Sequence, residues 1–143
     1  MAQRLRIVFD TNVYIAAAIN PSGPSDAWLR IAGRHNRSYD LYTSKPILEE
    51  LTNKLITKFR VQPTIAKNFV DNIRQIATVV KPKISLRIVK DDPDDNMLFE
   101  CAVTAKAQLI VSADKAVLKL NPVDGIGVCH PRDLKNIFAQ DLR

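Results

Sequence analysis

Short runs of apolar residues alternate along this chain with longer segments in which apolar residues recur every three or four positions. The short runs predict strands that are covered on both faces, and the longer segments predict amphipathic helices. Because the two kinds of segment alternate, we expect an α/β fold with a parallel sheet, right-handed crossovers and helices on both faces. The predicted strands span residues 6–9, 40–43, 78–80, 108–111 and 126–129, with a short extension at 86–89 as a further candidate.

Helix boundaries follow from capping residues and from breakers. Ser44 is a good N-cap and Pro46 suits the first turn of a helix, whereas two prolines and a glycine in the stretch 20–24 interrupt the helical pattern. The predicted helices span residues 13–19, 25–32, 45–59, 63–77, 95–107, 114–120 and 131–138. The third and fourth form a helical hairpin, and an acidic loop at 91–94 precedes the fifth.

Composition bounds the class of protein. The chain has 143 residues, of which 46% are hydrophobic, so we expect one compact domain over residues 1–143. It has no apolar run of membrane-spanning length and no signal-peptide pattern, which predicts a cytoplasmic protein without a membrane partner. Two cysteines and two histidines without metal-ligand spacing argue against a zinc site. The formal charge of +6 favours a polyanionic partner such as nucleic acid.

Two carboxylates follow predicted strands directly. Asp10 comes after the first strand and Asp114 shortly after the fourth. In open α/β sheets, ligands bind in the crevice outside the carboxyl ends of the strands, so both are candidates for a functional site. The alternative for Asp10 is that it only caps the helix that follows, because Asp, Thr and Asn are all good caps.

Helical geometry selects two further carboxylates. At about 100° per residue, Glu50 lies roughly 120° from the centre of the apolar face of its helix and Glu49 roughly 145° away, so Glu50 is nearer the packed rim. On the helix that starts at Asp95, that residue lies within roughly 20° of the centre of the apolar face. Burying an unpaired carboxylate is costly, so Asp95 either caps the first turn or meets a positive charge.

Carboxylates that converge in one crevice repel each other, and a hard divalent cation with oxygen ligands relieves that repulsion. Without a histidine or cysteine ligand set, Mg²⁺ or Mn²⁺ is expected. Such ions support phosphodiester hydrolysis. The chain has no G-x-x-x-x-G-K-[ST] loop, no G-x-G-x-x-G motif and no set of residues for a Ser-His-Asp triad. It therefore lacks the motifs for nucleotide hydrolysis, dinucleotide redox chemistry and acyl transfer.

Four acidic stretches occur in a specific order: Phe9-Asp10-Thr11-Asn12, Ile47-Leu48-Glu49-Glu50-Leu51, Asp92-Pro93-Asp94-Asp95-Asn96 and Val111-Ser112-Ala113-Asp114-Lys115. In this order they resemble the four acidic motifs of PIN-domain ribonucleases, above all those described as toxins of prokaryotic toxin–antitoxin systems. The resemblance extends from about residue 5 to 133. It implies a three-layer fold with a five-stranded parallel sheet of order 3-2-1-4-5, an endoribonuclease activity that depends on Mg²⁺ or Mn²⁺, an antitoxin partner and often a homodimer.

Carried over by position, the resemblance implies catalytic and metal-binding roles for four acidic residues and supporting roles for two polar residues. The choice of Glu50 over Glu49 agrees with the family pattern, in which the acid directly precedes Leu51. Asp95 is carried over by position, and Asp94 stays open as its alternative. The acidic residues are Asp10, Glu50, Asp95 and Asp114, and the supporting residues are Asn12 and Ser112.

Several lysines adjoin the predicted site. Lys45 and Lys115 are candidates to bind phosphate, although a solvated surface position is the commoner state of a lysine. Further along the helix from Glu50, Lys54, Lys58 and Arg60 fit either a phosphate track or an ordinary exposed face. Two functions remain: a metal-dependent RNA hydrolase, or a module that binds nucleic acid or protein on the same fold without useful turnover.

Overall fold

A computed structural model describes residues 4–83 and 93–139. Its centre is a five-stranded, all-parallel sheet of order β3-β2-β1-β4-β5, which confirms the predicted fold class. In the central strand, the consecutive residues Ile7, Val8 and Phe9 are all fully buried. Because consecutive side chains of a strand point to opposite faces, helices must cover both faces of the sheet. The strands are β1 Leu5–Phe9, β2 Tyr39–Ser44, β3 Thr78–Val80, β4 Leu109–Val111 and β5 Gly127–Cys129.

The register of the central strands determines where the candidate site forms. Phe9 of β1 lies opposite Val111 of β4, and the backbone N–H of Asp10 donates to the carbonyl of Val111 at 2.9 Å. The two strands therefore end level with each other. As a result, the polar residues that follow β1 and β4 emerge at the same edge of the sheet.

The helices agree with the predicted ones in order, and differ mainly at their ends. Asp10 accepts a hydrogen bond from the N–H of Thr11 and acts as N-cap, so the first helix begins two residues earlier than predicted. The sixth is a single turn rather than 114–120, and the last divides into a 3₁₀ turn, Pro131–Asp133, and one α-helical turn. The helices are α1 Thr11–Ile19, α2 Pro24–Ala32, α3 Lys45–Thr57, α4 Pro63–Ile76, α5 Pro93–Ala105, α6 Lys115–Leu118 and α7 Leu134–Ile137.

The division of the last predicted helix has a local cause. The N–H of Arg132 donates to His130 Nδ1, and the N–H of His130 donates to Asp133 Oδ2, which together close a tight capping box. This arrangement stabilises a 3₁₀ turn before the α-helical turn begins. The predicted extension at 86–89 and residues 91–92 of the acidic loop lie outside the described residues, and residues 93–94, predicted as loop, form the start of α5. No helix in the part of the chain that the structure describes is long and apolar enough to cross a membrane.

Candidate active site

Asp10 lies at the centre of the candidate site. Side chains that follow β1 and β4 donate hydrogen bonds to its carboxylate. Its side chain is only 9% exposed. Its Oδ1 accepts from the N–H of Thr11 at 2.7 Å, and its Oδ2 accepts from Ser112 Oγ at 2.8 Å and from Asn12 Nδ2 at 3.0 Å. Burial raises the pKa of Asp10 above its usual value of 3.8, whereas the hydrogen bonds from Ser112 and Thr11 and the charge of Lys54 oppose that rise.

Asn12 and Ser112 join the end of β4 to the start of α1. Ser112 is fully buried, and its Oγ accepts from the N–H of Asp114 at 3.0 Å while donating to Asp10. Asn12 Oδ1 accepts from the N–H of Ala113 at 3.0 Å, and Asn12 Nδ2 lies 3.3 Å from Ser112 Oγ. These bonds fix the backbone that carries Asp114. Both residues therefore occupy positions from which they can orient the acidic side chains.

Glu50 reaches the same region from α3. Its side chain is 13% exposed, and its Oε1 lies 2.6 Å from Lys54 Nζ, one helical turn along α3, and 3.4 Å from Thr11 Oγ1. Glu49 is 64% exposed, points to solvent and pairs with Lys45 at 3.7 Å. The structure thus places the two neighbouring acids as the helical phase predicts, with only Glu50 directed toward Asp10.

Asp114 and Asp95 complete the acidic set. Asp114 is exposed and caps α6, because its Oδ1 accepts from the N–H of Ala116 at 2.9 Å. Asp95 is buried in the first turn of α5. The side chain of Asp94 lies outside the described part of the chain.

The four predicted acids line a single cavity of about 400 Å³. It is acidic where it meets the ends of β1 and β4, and it extends between α1 and α3. Lys45 and Lys115 are exposed and are not among the described residues that line it. The remaining lining comes from α1, α3 and the turn after α3: Thr11, Asn12, Ile15, Ala16, Ile19, Lys54, Lys58 and Phe59.

The donor set is suited to a hard cation, because each acidic side chain offers carboxylate oxygens. In the described residues, however, no group of three or more His, Cys, Asp or Glu side chains is arranged as a ready metal cluster. The ammonium of Lys54 bonds Glu50 in this conformation. The cavity therefore contains carboxylates of the type that bind a hard cation. To bind a metal, Glu50 and its neighbours would have to change their side-chain positions.

Sequence reasoning did not assign roles to Thr11, to the apolar wall of the cavity or firmly to Lys54. Thr11 is the contact between Asp10 and Glu50, since its Oγ1 lies 3.4 Å from an oxygen of each. A spacing of four residues would have revealed the cavity lining, because Ile15 and Ile19 repeat along α1 as Lys54 and Lys58 repeat along α3.

The parallel sheet of order 3-2-1-4-5, with acids after the first and fourth strands, defines an α/β protein of the PIN-like class. A family model described as PIN domain matches residues 6–116, so the chain belongs to the PIN domain family. The matched span contains Asp10, Glu50, Asp95 and Asp114.

One sequence relative and two solved structures are similar to this chain. The chain is 26% identical over 121 residues to MJ1680, an uncharacterised protein of Methanocaldococcus jannaschii, covering 82% of this chain and 76% of that one. Its fold is similar to that of PAE2754 from Pyrobaculum aerophilum, with a TM-score of 0.63, 16% identity and coverage of 95% and 90% of the two chains. It is also similar to VapBC2 from Rickettsia felis, solved bound to a DNA fragment from their promoter, with a TM-score of 0.63, 10% identity and coverage of 88% and 98%.

Proposed function

We propose that this protein is an endoribonuclease that hydrolyses RNA phosphodiester bonds with Mg²⁺ or Mn²⁺. One observation carries the proposal: four carboxylates from four separate segments of the chain line one cavity at the carboxyl ends of the central strands. Membership of the PIN domain family supports it. The formal charge of +6 supports a polyanionic substrate.

The residues that would hold the cation are Asp10, Glu50, Asp95 and Asp114. When bound, a divalent cation supplies a Lewis acid that activates water and offsets the charge of the phosphodiester. The chain's own residues position the carboxylates. Ser112 and Asn12 hold Asp10 as an acceptor, and Thr11 sets the distance between Asp10 and Glu50. Lys54 pairs with Glu50 at 2.6 Å, so its ammonium would compete with the cation for that carboxylate.

The decisive experiment measures cleavage of a panel of labelled single-stranded RNAs by the wild type in Mg²⁺, in Mn²⁺ and in EDTA. Asp10→Asn should abolish cleavage, because the cation would lose a buried carboxylate ligand. Asp71→Asn is the matched control, since Asp71 lies on α4 and pairs with Lys67 at 3.3 Å outside the cavity. Cleavage that persists undiminished in EDTA would contradict the proposed mechanism.

A second candidate is a PIN-fold module that binds nucleic acid or protein without useful turnover. The observation that favours it is the 2.6 Å ion pair between Lys54 and Glu50, which neutralises one of the four acids without a metal. The same cleavage panel separates the two functions. Binding of RNA with no cleavage in either metal would select the module.

We also infer a toxin role in the cytoplasm, an antitoxin partner and a homodimer. The inference is supported by the resemblance of the four acidic motifs to toxin-type PIN proteins and by the likeness of the fold to VapBC2. Coexpression with the product of an adjacent gene should yield a stable complex and relieve growth inhibition. Light scattering of the isolated protein should give the mass of two chains. The mass of a single chain would contradict the inferred homodimer.

A further inference from the structure

The cavity continues beyond the acidic end as a groove with two unlike walls. Along α1, Ile15 and Ile19 line one wall, and along α3, Lys54 and Lys58 line the other. Each pair is spaced by four residues, so each forms a row along its helix. The acidic end and the groove are therefore one continuous space between α1 and α3, aliphatic on one side and cationic on the other.

Phe59 closes the far end of this groove. Its ring is 38% exposed, and Lys58 Nζ lies 5.7 Å from the ring centroid. The turn that carries Phe59 is fixed, because the N–H of Val61 donates to the carbonyl of Leu55 at 2.8 Å and Arg60 adopts a left-handed φ of 55°. The turn therefore fixes the backbone next to Phe59, and the ring lies beside the ammonium of Lys58.

Ile19 is exposed to an unusual degree for an isoleucine at the end of a buried helix. Its side chain is 55% exposed. A second cavity of about 270 Å³ adjoins it and shares Ala16 and Ile19 with the first. This second cavity continues from Ile19 toward Asn20, Gly23, Pro24 and Ser25.

We infer that this groove, formed by Ile15, Ile19, Lys54, Lys58 and Phe59, is a subsite for one or two unpaired nucleobases of single-stranded RNA next to the cleaved phosphate. Sites for single strands combine aromatic or apolar platforms for bases with cations for the backbone, and the two walls supply these separately. From Glu50 to Lys58 the groove spans ~12 Å along α3, which is longer than a single phosphate requires. The inference rests on the proposed function, because it takes RNA as the substrate.

The two walls predict a strand whose bases face α1 and whose phosphates follow α3. Stacking on Phe59 would tolerate any base, since every base has a π face. A double helix keeps its bases paired and stacked internally, so it cannot place a base on this wall. The groove thus selects single-stranded over double-stranded RNA.

Binding is measured separately from cleavage, by the fluorescence anisotropy of a labelled single-stranded RNA of about eight nucleotides in EDTA. A second probe has the same phosphates but abasic sugars. The wild type should bind the first probe more tightly. Phe59→Ala should weaken binding of the intact RNA about tenfold and leave the abasic probe unaffected, and Phe59→Trp should restore binding. Ile65→Ala, at an exposed isoleucine of α4, is the matched control.

Lys58→Gln should weaken both probes and reduce the slope of log affinity against log salt by about 0.7. Lys67→Gln, on the exposed face of α4, should change neither the affinity for the two probes nor the salt slope. Equal affinity of Phe59→Ala and wild type for the intact RNA overturns the inference, as does the absence of any RNA binding. If cleavage with Mn²⁺ persists while Phe59→Ala is neutral, only the subsite fails and the proposed activity stands. If RNA binds through Phe59 but no metal supports cleavage, only the proposed activity fails.

Discussion

Lys54 Nζ lies 2.6 Å from Glu50 Oε1, and this ion pair lies inside the cavity that the four acids line. The lysine is thus a resident cation at the acidic end. Removing it takes away one favourable ion pair of Glu50, which destabilises the fold, and at the same time removes a competitor for a divalent ion.

The first prediction follows from this pair. Lys54→Gln should lower the free energy of unfolding in EDTA by about 0.5 to 1 kcal/mol and should enlarge the gain in melting temperature on addition of Mn²⁺. Thermal unfolding with EDTA and with Mn²⁺ measures both effects. Lys67→Gln, which breaks an exposed i,i+4 pair on α4, should change neither. A smaller metal response in Lys54→Gln would show that the lysine assists metal binding instead.

A second prediction separates the neighbouring acids of α3. Glu50→Gln should reduce RNA cleavage more than about a hundredfold, because the loss of even an outer partner of a metal ligand costs about 10- to 100-fold. Glu49→Gln should leave the rate near that of wild type, since Glu49 points to solvent. Similar losses in the two variants would place the catalytic acid elsewhere on the helix.

A third prediction tests Asp95 and Asp114 without knowledge of the RNA. At a hundredfold excess over Kd, a metal bound to one site stabilises the fold by about 2.7 kcal/mol, which raises the melting temperature of a domain of this size by about 5 °C or more. Asp95→Asn and Asp114→Asn should abolish this shift while leaving the metal-free protein at least as stable as wild type. If Asp95 only caps α5, Asn replaces it well and the metal shift survives.

A fourth prediction concerns Asp10 and pH. Burial raises the pKa of Asp10, so the folded state favours the protonated form more than the unfolded chain does. Its contribution to stability is therefore fully present below the unfolded value of 3.8 and is lost as pH rises through the folded pKa. In EDTA, Asp10→Asn should gain stability relative to wild type as pH rises from 4 toward 7. Urea unfolding at a series of pH values measures the difference, and a constant difference would exclude the shift.

The fifth prediction addresses the hydroxyl that joins the two strand ends. Ser112 Oγ donates to Asp10 and accepts from the N–H of Asp114, and it is fully buried. Ser112→Ala should lower the free energy of unfolding by about 1 to 3 kcal/mol, because it leaves buried polar groups without their partner. Chemical unfolding in EDTA checks this. An unchanged midpoint would mean that water replaces the hydroxyl at no cost.

The sequence alone predicted the sheet because short apolar runs leave few alternatives, and it predicted the orientation of Glu50 because a helix advances by a fixed angle per residue. It did not predict the role of Thr11, since the contact with Glu50 spans 39 residues and depends on how α1 lies against α3. Ile15 is a buried core residue that also lines the cavity, whereas the exposure of Ile19 could not be predicted, because most isoleucines on a helix are buried. Lys115 directly follows Asp114 and Lys45 comes five residues before Glu50, yet both are exposed and neither is among the described residues that line the cavity.

The level ending of β1 and β4 has a consequence for the newly made chain. Asp10 is synthesised early, but its hydrogen-bond donor Ser112 and its neighbour Asp114 follow about a hundred residues later. In a ribosome-bound chain whose β4 has not yet been synthesised, the hydroxyl of Ser112 and the carboxylate of Asp114 are both missing. Translation itself therefore keeps the incomplete protein from forming this site, and a truncation before β4 should remove it altogether.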